Sequence, residues 1–359
     1  MHFKPHFNIA DEITYLNTPG NGLLPKDSLN WRQEWEQEFF DSRTDLRDKQ
    51  VDFLANVKKT VASFFTSHVE NTYLLPNFSF GYSTLIDLLP SDFRYVVLAD
   101  EYPSLQYPIV SRGLEHITVP VTVDVEEKLE AEIQRSHPDV LILSLVQYIS
   151  GLKINLDFLK RIKQAYPDLL IIADGTQFLG TEPFNFQESG IDALGGSGYK
   201  WLLSGFGNGF MLLSEKLRSL LEDLLIGRPK PTVAMWQHKS VLDTFFEPGH
   251  QDNLSHGTLQ KSMQWIQSIG LDTIHAHNQS VSEEAYKLFA ERNLLLPIIQ
   301  KRSEKSFLIN VQVDPACYPH IQQMGIKCFP RGTGIRIGIH VYNDIADIHR
   351  FVNILESIK

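Results

Sequence analysis

Lys200 and Asp174 are the residues in this sequence best suited to do chemistry. Lys200 closes the run Gly195-Gly196-Ser197-Gly198-Tyr199-Lys200, 26 residues (200 minus 174) after Asp174, which follows the apolar stretch Leu169-Leu170-Ile171-Ile172-Ala173. An amine beside a glycine-rich turn forms a Schiff base with an aldehyde. An acid leaving the C-terminal end of a buried strand keeps a pyridine nitrogen protonated, so that the ring accepts electrons. Together these are what a protein needs to hold pyridoxal 5'-phosphate. Gln177 lies three residues past Asp174, so the pattern Asp-x-x-Gln sets two polar groups at the edge of a sheet, where open α/β folds bind ligands. From there the Gln177 side chain reaches a phenolic oxygen on the same cofactor.

Each residue also has a plainer reading. Asp174 alone reads first as a cap for the next helix or turn, and most lysines are solvated surface groups. Around Lys200, however, glycines at 195, 196, 198, 205, 207 and 209 let backbone approach a bound group, and Ser197 and Tyr199 offer hydroxyls suited to a phosphate. Competing phosphate motifs fail by letter. Lys200 is followed by Trp201 rather than Ser or Thr, which removes the P-loop, and Gly205-Phe206-Gly207-Asn208-Gly209 lacks the dinucleotide spacing. A nucleotide-dependent enzyme is therefore disfavoured. Asn77-Phe78-Ser79-Phe80-Gly81-Tyr82-Ser83 precedes a helical pattern through Leu85, Leu88 and Leu89. A helix N-terminus at Ser79 is a further phosphate site or an ordinary capped helix.

The elements that position these residues follow an α/β pattern. Apolar runs over Tyr95–Ala99, Ile117–Val121, Val140–Val146, Leu169–Ala173, Ala193–Gly196 and Gly209–Leu213 read as strands of a mainly parallel sheet. Helices are expected over Asp45–Phe65, Asp124–Arg135, Leu156–Tyr166 with Asn155 as cap, and Glu215–Leu225. Gly227-Arg228-Pro229-Lys230-Pro231 interrupts the pattern. Beyond it, helices over Ser262–Leu271, Glu283–Glu291 and Asp344–Ile358, with strands over Phe307–Val313 and Ile335–Ile339, indicate a smaller α+β unit. The expected division is an N-terminal segment 1–20, a large α/β domain 21–245 and a small C-terminal domain 246–359.

A chain of 359 residues with 43% hydrophobic and 21% charged residues is an ordinary globular protein with room for a large core. Its formal net charge of -10 disfavours nucleic-acid and anionic-membrane partners, which require clustered cations. Two cysteines, Cys317 and Cys328, are too few for a disulfide scaffold. The start, Met1 to Asn8, lacks the pattern of a signal peptide. A cytoplasmic enzyme with no metal is the expectation.

These segments in order resemble the class V aminotransferase superfamily, fold-type I pyridoxal phosphate enzymes that include cysteine desulfurases, selenocysteine lyases, kynureninases and isopenicillin N epimerases. Tyr15-Leu16-Asn17-Thr18-Pro19-Gly20 is similar to the family's opening. Asp174 and Gln177 match its Asp-x-x-Gln, and Ser197-Gly198-Tyr199-Lys200 matches its Schiff-base motif. Glu247-Pro248-Gly249 resembles Phe-Glu-x-Gly, and Arg336 with Tyr342-Asn343 resembles the closing Arg-x-Ser-x-x-x-Tyr-Asn. The resemblance implies that Ser79, Ser197 and Tyr199 hold the phosphate, that Tyr102 stacks on the cofactor ring, and that Gln147 or Tyr148 borders it. It implies that Arg336 clamps the substrate carboxylate, a pairing suited to a planar guanidinium. His250 stands where many relatives carry a Thr reaching a partner's phosphate, and is assigned to cofactor binding in a homodimer.

The implied reaction acts on an amino acid through a Lys200 Schiff base, with Lys200 as base at Cα. Aminotransferase, lyase and epimerase outcomes stay open, and a catalytically decayed binding protein is the alternative. Cys328 lies 8 residues (336 minus 328) and Cys317 lies 19 (336 minus 317) before Arg336, both out of place for a persulfide cysteine, so a dedicated desulfurase is disfavoured.

Overall fold

The computed structural model describes residues 3–41, 45–229, 231–237 and 239–358. Met1 and His2 of the N-terminal reading and Lys230 of the break at 227–231 lie outside the described residues. The chain begins with strand β1 (Thr14–Tyr15) and helices α1 (Lys26–Phe40) and α2 (Gln50–Phe64). It then alternates through β2 (Thr72–Leu75), α3 (Phe78–Leu88), β3 (Tyr95–Leu98), α4 (Pro103–Ser111), β4 (His116–Val119), α5 (Val125–Ser136), β5 (Val140–Ser144), α6 (Leu156–Ala165) and β6 (Leu170–Asp174). Next come β7 (Ala193–Ser197), β8 (Gly209–Leu213), α7 (Glu215–Leu224), α8 (Asp243–Phe246), α9 (Asn253–Ile269), α10 (Leu271–Glu291) and α11 (Pro297–Gln300). The chain closes with β9 (Leu308–Val311), α12 (Tyr318–Gln323), β10 (Ile326–Lys327), β11 (Phe329–Arg331), β12 (Gly334–Gly338) and α13 (Ile345–Ser357).

A seven-stranded sheet runs β2-β8-β7-β6-β5-β3-β4, with β8 alone antiparallel to its neighbours. Every residue of β2, β3, β5, β6, β7 and β8 is buried, which explains why these strands read as continuous apolar runs. Successive side chains serve opposite faces. Val96, Leu141 and Ile171 join one core, and their neighbours Val97, Ile142 and Ile172 join the other.

The expected strands and helices of this α/β unit are present, with ends shifted by a few residues. The strand expected over Ile117–Val121 runs over His116–Val119, because Pro120 has no N–H to continue the ladder. Asn155 caps α6 by accepting from Phe158 N–H at 3.0 Å. Several elements were not anticipated, among them α1, α4 and β2. α1 carries many exposed polar residues, α4 contains Pro103 and Pro108, and β2 is only four residues long. The expected helix at Ser262 begins instead at Asn253, where Asp252 caps it. Gly257 hides the pattern, and it is required because a Cβ there would meet the Trp31 ring at 2.1 Å.

A three-stranded antiparallel sheet, β11-β12-β9, forms the C-terminal unit, and β1 pairs in parallel with β10. The opening segment is thus tied to the end of the chain rather than standing apart. Asn343 Nδ2 donates to Tyr15 O at 2.8 Å, and the Thr18 and Tyr342 hydroxyls hydrogen-bond in the interior. Among the described residues, no helix is long and apolar enough to cross a membrane.

Candidate active site

Strands β5, β6 and β7 run parallel, so their C-terminal ends share one edge of the sheet, with Ser144 beside Asp174 and Asp174 beside Gly195. A cavity of about 480 Å³ opens over this edge. The chain leaving β7 turns across it and carries Tyr199 and Lys200 into the lining, joined by Ser79 and Tyr102 from the starts of α3 and α4. Asp174, Gln177 and Ser197 complete the convergence. The turn is fixed from outside: Gly22 N–H donates to Tyr199 O at 2.8 Å, and a Cβ at Gly22 would meet Lys200 O at 2.1 Å. The glycine in the opening segment therefore sets where the lysine sits.

Lys200 is 8% exposed, and its amine makes no hydrogen bond or ion pair with the described residues. It lies over aromatic rings, 5.4 Å from the centroid of Tyr199 and 5.9 Å from that of Tyr102. Burial drives its pKa down to about 8, opposed by the Asp174 charge and helped by Arg336 and Arg331. Asp174 is also buried, which raises its pKa. Bonds from Thr176, including its N–H at 2.8 Å from Oδ1, and the Lys200 charge work against that rise.

Other groups are arranged for an anion. Asn77 caps α3 by accepting from Phe80 N–H at 2.9 Å, and Ser197 Oγ accepts from Phe78 N–H at 3.0 Å. The Ser79 N–H at the same helix start has no acceptor among the described residues, and the Ser79 and Ser104 hydroxyls bond at 2.7 Å. Burial raises the Tyr199 phenol to about 12, keeping it a neutral donor.

Gln177 lines the cavity, but its amide is mostly engaged: Nε2 donates to Pro19 O at 3.0 Å and Oε1 accepts from Trp201 Nε1 at 2.8 Å. One N–H remains for the cofactor. Of the pair Gln147 and Tyr148, Tyr148 lines the cavity and meets Tyr102 edge-on at 5.2 Å. Gln147 instead organises its loop, donating to Asp100 O at 2.7 Å and accepting from the N–H groups of Ile149 and Ser150.

Arg336, on β12, is 4% exposed. It is not among the residues lining the cavity; its Nη1 donates to Tyr148 O at 2.8 Å, and among the described residues its Nε has no hydrogen-bond partner and no carboxylate forms an ion pair with it. Burial lowers its pKa to about 10, which leaves it cationic at neutral pH.

His250 is not brought to the cavity of its own chain. It follows α8 and faces α2, with Nδ1 2.7 Å from Gln50 Oε1, in a separate hollow that includes Lys58 and Glu247. Glu247 likewise lies away from the cavity, accepting from Leu74 N–H at 2.6 Å and pairing with Lys58 at 3.0 Å.

Sequence reasoning missed Glu101, Ser144 and Thr176. Glu101 is fully enclosed, accepts from Ser144 N–H at 2.6 Å and Ser144 Oγ at 2.5 Å, and burial pushes it up to about 7 despite those donors. Thr176 Oγ1 accepts from Ser197 N–H at 3.1 Å, linking the ends of β6 and β7. An acid adjoining Tyr102 was the one available signal for Glu101. Nothing in the spacing marks the other two.

The residues present fit pyridoxal 5'-phosphate. A buried amine without a partner, a carboxylate with an oxygen to spare, an open helix N–H and an aromatic at the mouth match the cofactor's aldehyde, ring nitrogen, phosphate and ring face.

No curated protein matches the sequence. Among solved structures, the chain is similar to a cysteine desulfurase from Thermococcus onnurineus NA1, with a TM-score of 0.82 and 16% identity over 99% of this chain and 96% of that one. It is similar to the cystine C-S lyase C-DES in complex with cysteine persulfide, with a TM-score of 0.80 and 16% identity over 96% of this chain and 97% of the other. A lysine-to-alanine variant of C-DES, solved with glycine covalently linked to its PLP cofactor, gives a TM-score of 0.83 at 16% identity over 99% of both chains. Identities this low show a shared fold, here fold type I. The family model for aminotransferase class-V matches residues 114–351, about two thirds of the chain. The chain therefore belongs to the aminotransferase class-V family, and it is a pyridoxal 5'-phosphate-dependent enzyme.

Proposed function

We propose that this enzyme acts on a bond at Cα or Cβ of an amino acid, with Lys200 as both the anchor of the cofactor and the base at Cα. The observation that carries this reading is the buried, unpartnered Lys200 amine facing a cavity floored by Asp174. Pyridoxal phosphate, when bound, supplies an electron sink for bonds at the substrate Cα. Asp174 holds the proton on the ring nitrogen, and Tyr102 covers a ring face. Ser79, Ser197 and Tyr199 hold the phosphate, aided by the start of α3. Arg336 binds the substrate carboxylate and so orients Cα toward Lys200, whose amine, held near 8, moves the proton there.

Neither cysteine serves as a nucleophile in this reading. Cys328 is 2% exposed, burial pushes its thiol up to about 12, and neither Cys328 nor Cys317 lines the cavity. A persulfide-forming desulfurase is disfavoured on those grounds. At 16% identity the likeness to C-DES and to a cysteine desulfurase shows the fold and not the bond that breaks, so aminotransferase, lyase and epimerase outcomes stand side by side. A decayed binding protein is disfavoured, because Lys200, Asp174 and Arg336 are all retained and all buried.

His250, set apart from its own chain's cavity, fits a role at the cavity of a partner in a homodimer. The test is to screen amino acids against holoenzyme for changes in cofactor absorbance, and to identify the product. Keto acid, pyruvate with released sulfide, or racemised amino acid each assigns one outcome. No spectral response to any amino acid defeats the proposal.

A further inference from the structure

A second guanidinium stands beside Arg336. In the β11–β12 hairpin, Phe329 pairs with Arg336, and Arg331 lies two residues beyond Phe329 on the same strand. Side chains two apart on a strand share a face, as do directly opposed ones, so Arg331 and Arg336 are diagonal neighbours on one face. That face borders the active-site loop. Asn310, paired with Arg336 on the other side, donates through Nδ2 to Ile149 O and to Arg331 O, each at 2.9 Å, fixing the hairpin tip against the residue after Tyr148. The Arg331 guanidinium lies 4.7 Å from the Phe329 ring centroid, a stacking that limits its freedom.

Charge is unbalanced here. Among the described residues the exposed Arg331 makes no ion pair and the buried Arg336 makes none; neither lines the cavity, where Asp174 is the only acid, and both lie beside it. Asp100 reaches Tyr148 electrostatically without pairing with either arginine, and the Arg331 charge acts on Lys200, Arg336 and Tyr148 alike. Like charges placed as diagonal neighbours repel unless an anion lies between them. The α-carboxylate of an amino acid satisfies one guanidinium. The other, Arg331, stands at the solvent-facing rim with no acid of the described residues paired to it.

We propose that the substrate is an amino acid with an acidic side chain of the aspartate or glutamate class, its α-carboxylate on Arg336 and its terminal carboxylate on Arg331. This rests on the amino-acid reading above and adds the side-chain class to it. A guanidinium that meets a carboxylate through a charge-assisted pair discriminates against the neutral amide of the same size.

The test uses dicarboxylates that cannot react. Holoenzyme is titrated calorimetrically with succinate and with its half-amide, succinamate. Succinate binds tighter by about tenfold or more. In Arg331→Gln that ratio collapses to near unity, and in Arg331→Lys part of it returns, while cofactor absorbance reports that each variant is folded. In Arg336→Gln both ligands weaken. Equal affinities in the wild type, no binding of succinate, or a preference that survives Arg331→Gln each overturn the proposal. Failure of the underlying reading has a different signature, because it would leave wild-type Lys200 without borohydride-fixed cofactor whatever these ratios are.

Discussion

Burial, with no hydrogen bond or ion pair to the described residues, is what lowers the Lys200 pKa and suits the amine to its proposed role. An amine near pKa 8 is neutral, and so nucleophilic, at a pH more than two units below where an ordinary lysine with a model value of 10.5 is. Uptake of pyridoxal phosphate by apoprotein therefore accelerates as pH rises through about 8 and levels above it, since only the unprotonated form attacks the aldehyde. Stopped-flow absorbance measures this. A rate still climbing toward 10.5 would show an unperturbed lysine. Asp174→Ala leaves the ring nitrogen without its acid, and turnover falls by about 100-fold or more while the protein stays folded; unchanged turnover refutes that role. Lys200, Asp174 and Arg336 were legible in sequence because their types are unusual where they stand, in or beside apolar strands. Glu101 and Thr176 were not, because they act through hydrogen bonds to Ser144 and Ser197 that join strands distant in sequence.

At the scale of elements, the site depends on where helices start and where turns are held. Asn77→Ala removes the side-chain cap of α3, lowering stability by about 1 kcal/mol and loosening the N–H groups proposed to bind the phosphate. Denaturant melts and cofactor titration measure the two effects, and a variant that loses stability with no loss of cofactor affinity separates the cap from the phosphate site. Gly22→Ala tests the contact between the opening segment and the Lys200 turn. A Cβ at 2.1 Å from Lys200 O forces backbone to move, so cofactor occupancy drops along with melting temperature. The buried strands were readable because both faces are covered and leave uninterrupted apolar runs. α1, α4 and the first half of α9 were not, since exposed polar residues, internal prolines and Gly257 break the periodicity, and the packing that holds these helices is tertiary.

Across the whole molecule, the two ends of the chain meet. β1 pairs with β10, and Tyr342 and Asn343 hold the segment from Tyr15 to Thr18 against the edge of the site. His250 faces a hollow outside its own cavity, so a dimer is expected to complete the phosphate site. Light scattering should give twice the 41.0 kDa chain mass, and a fully active monomer contradicts the arrangement. Sequence order could place the opening and closing motifs at opposite ends of the chain, but not show that they touch. The central claim is that Lys200 anchors the cofactor, and it is tested most directly by reducing holoenzyme with borohydride and mapping the labelled peptide by mass spectrometry. The account predicts loss of the absorbance band and a pyridoxyl phosphate label on Lys200, absent in Lys200→Ala. A label on another lysine, or none on wild type, would contradict it.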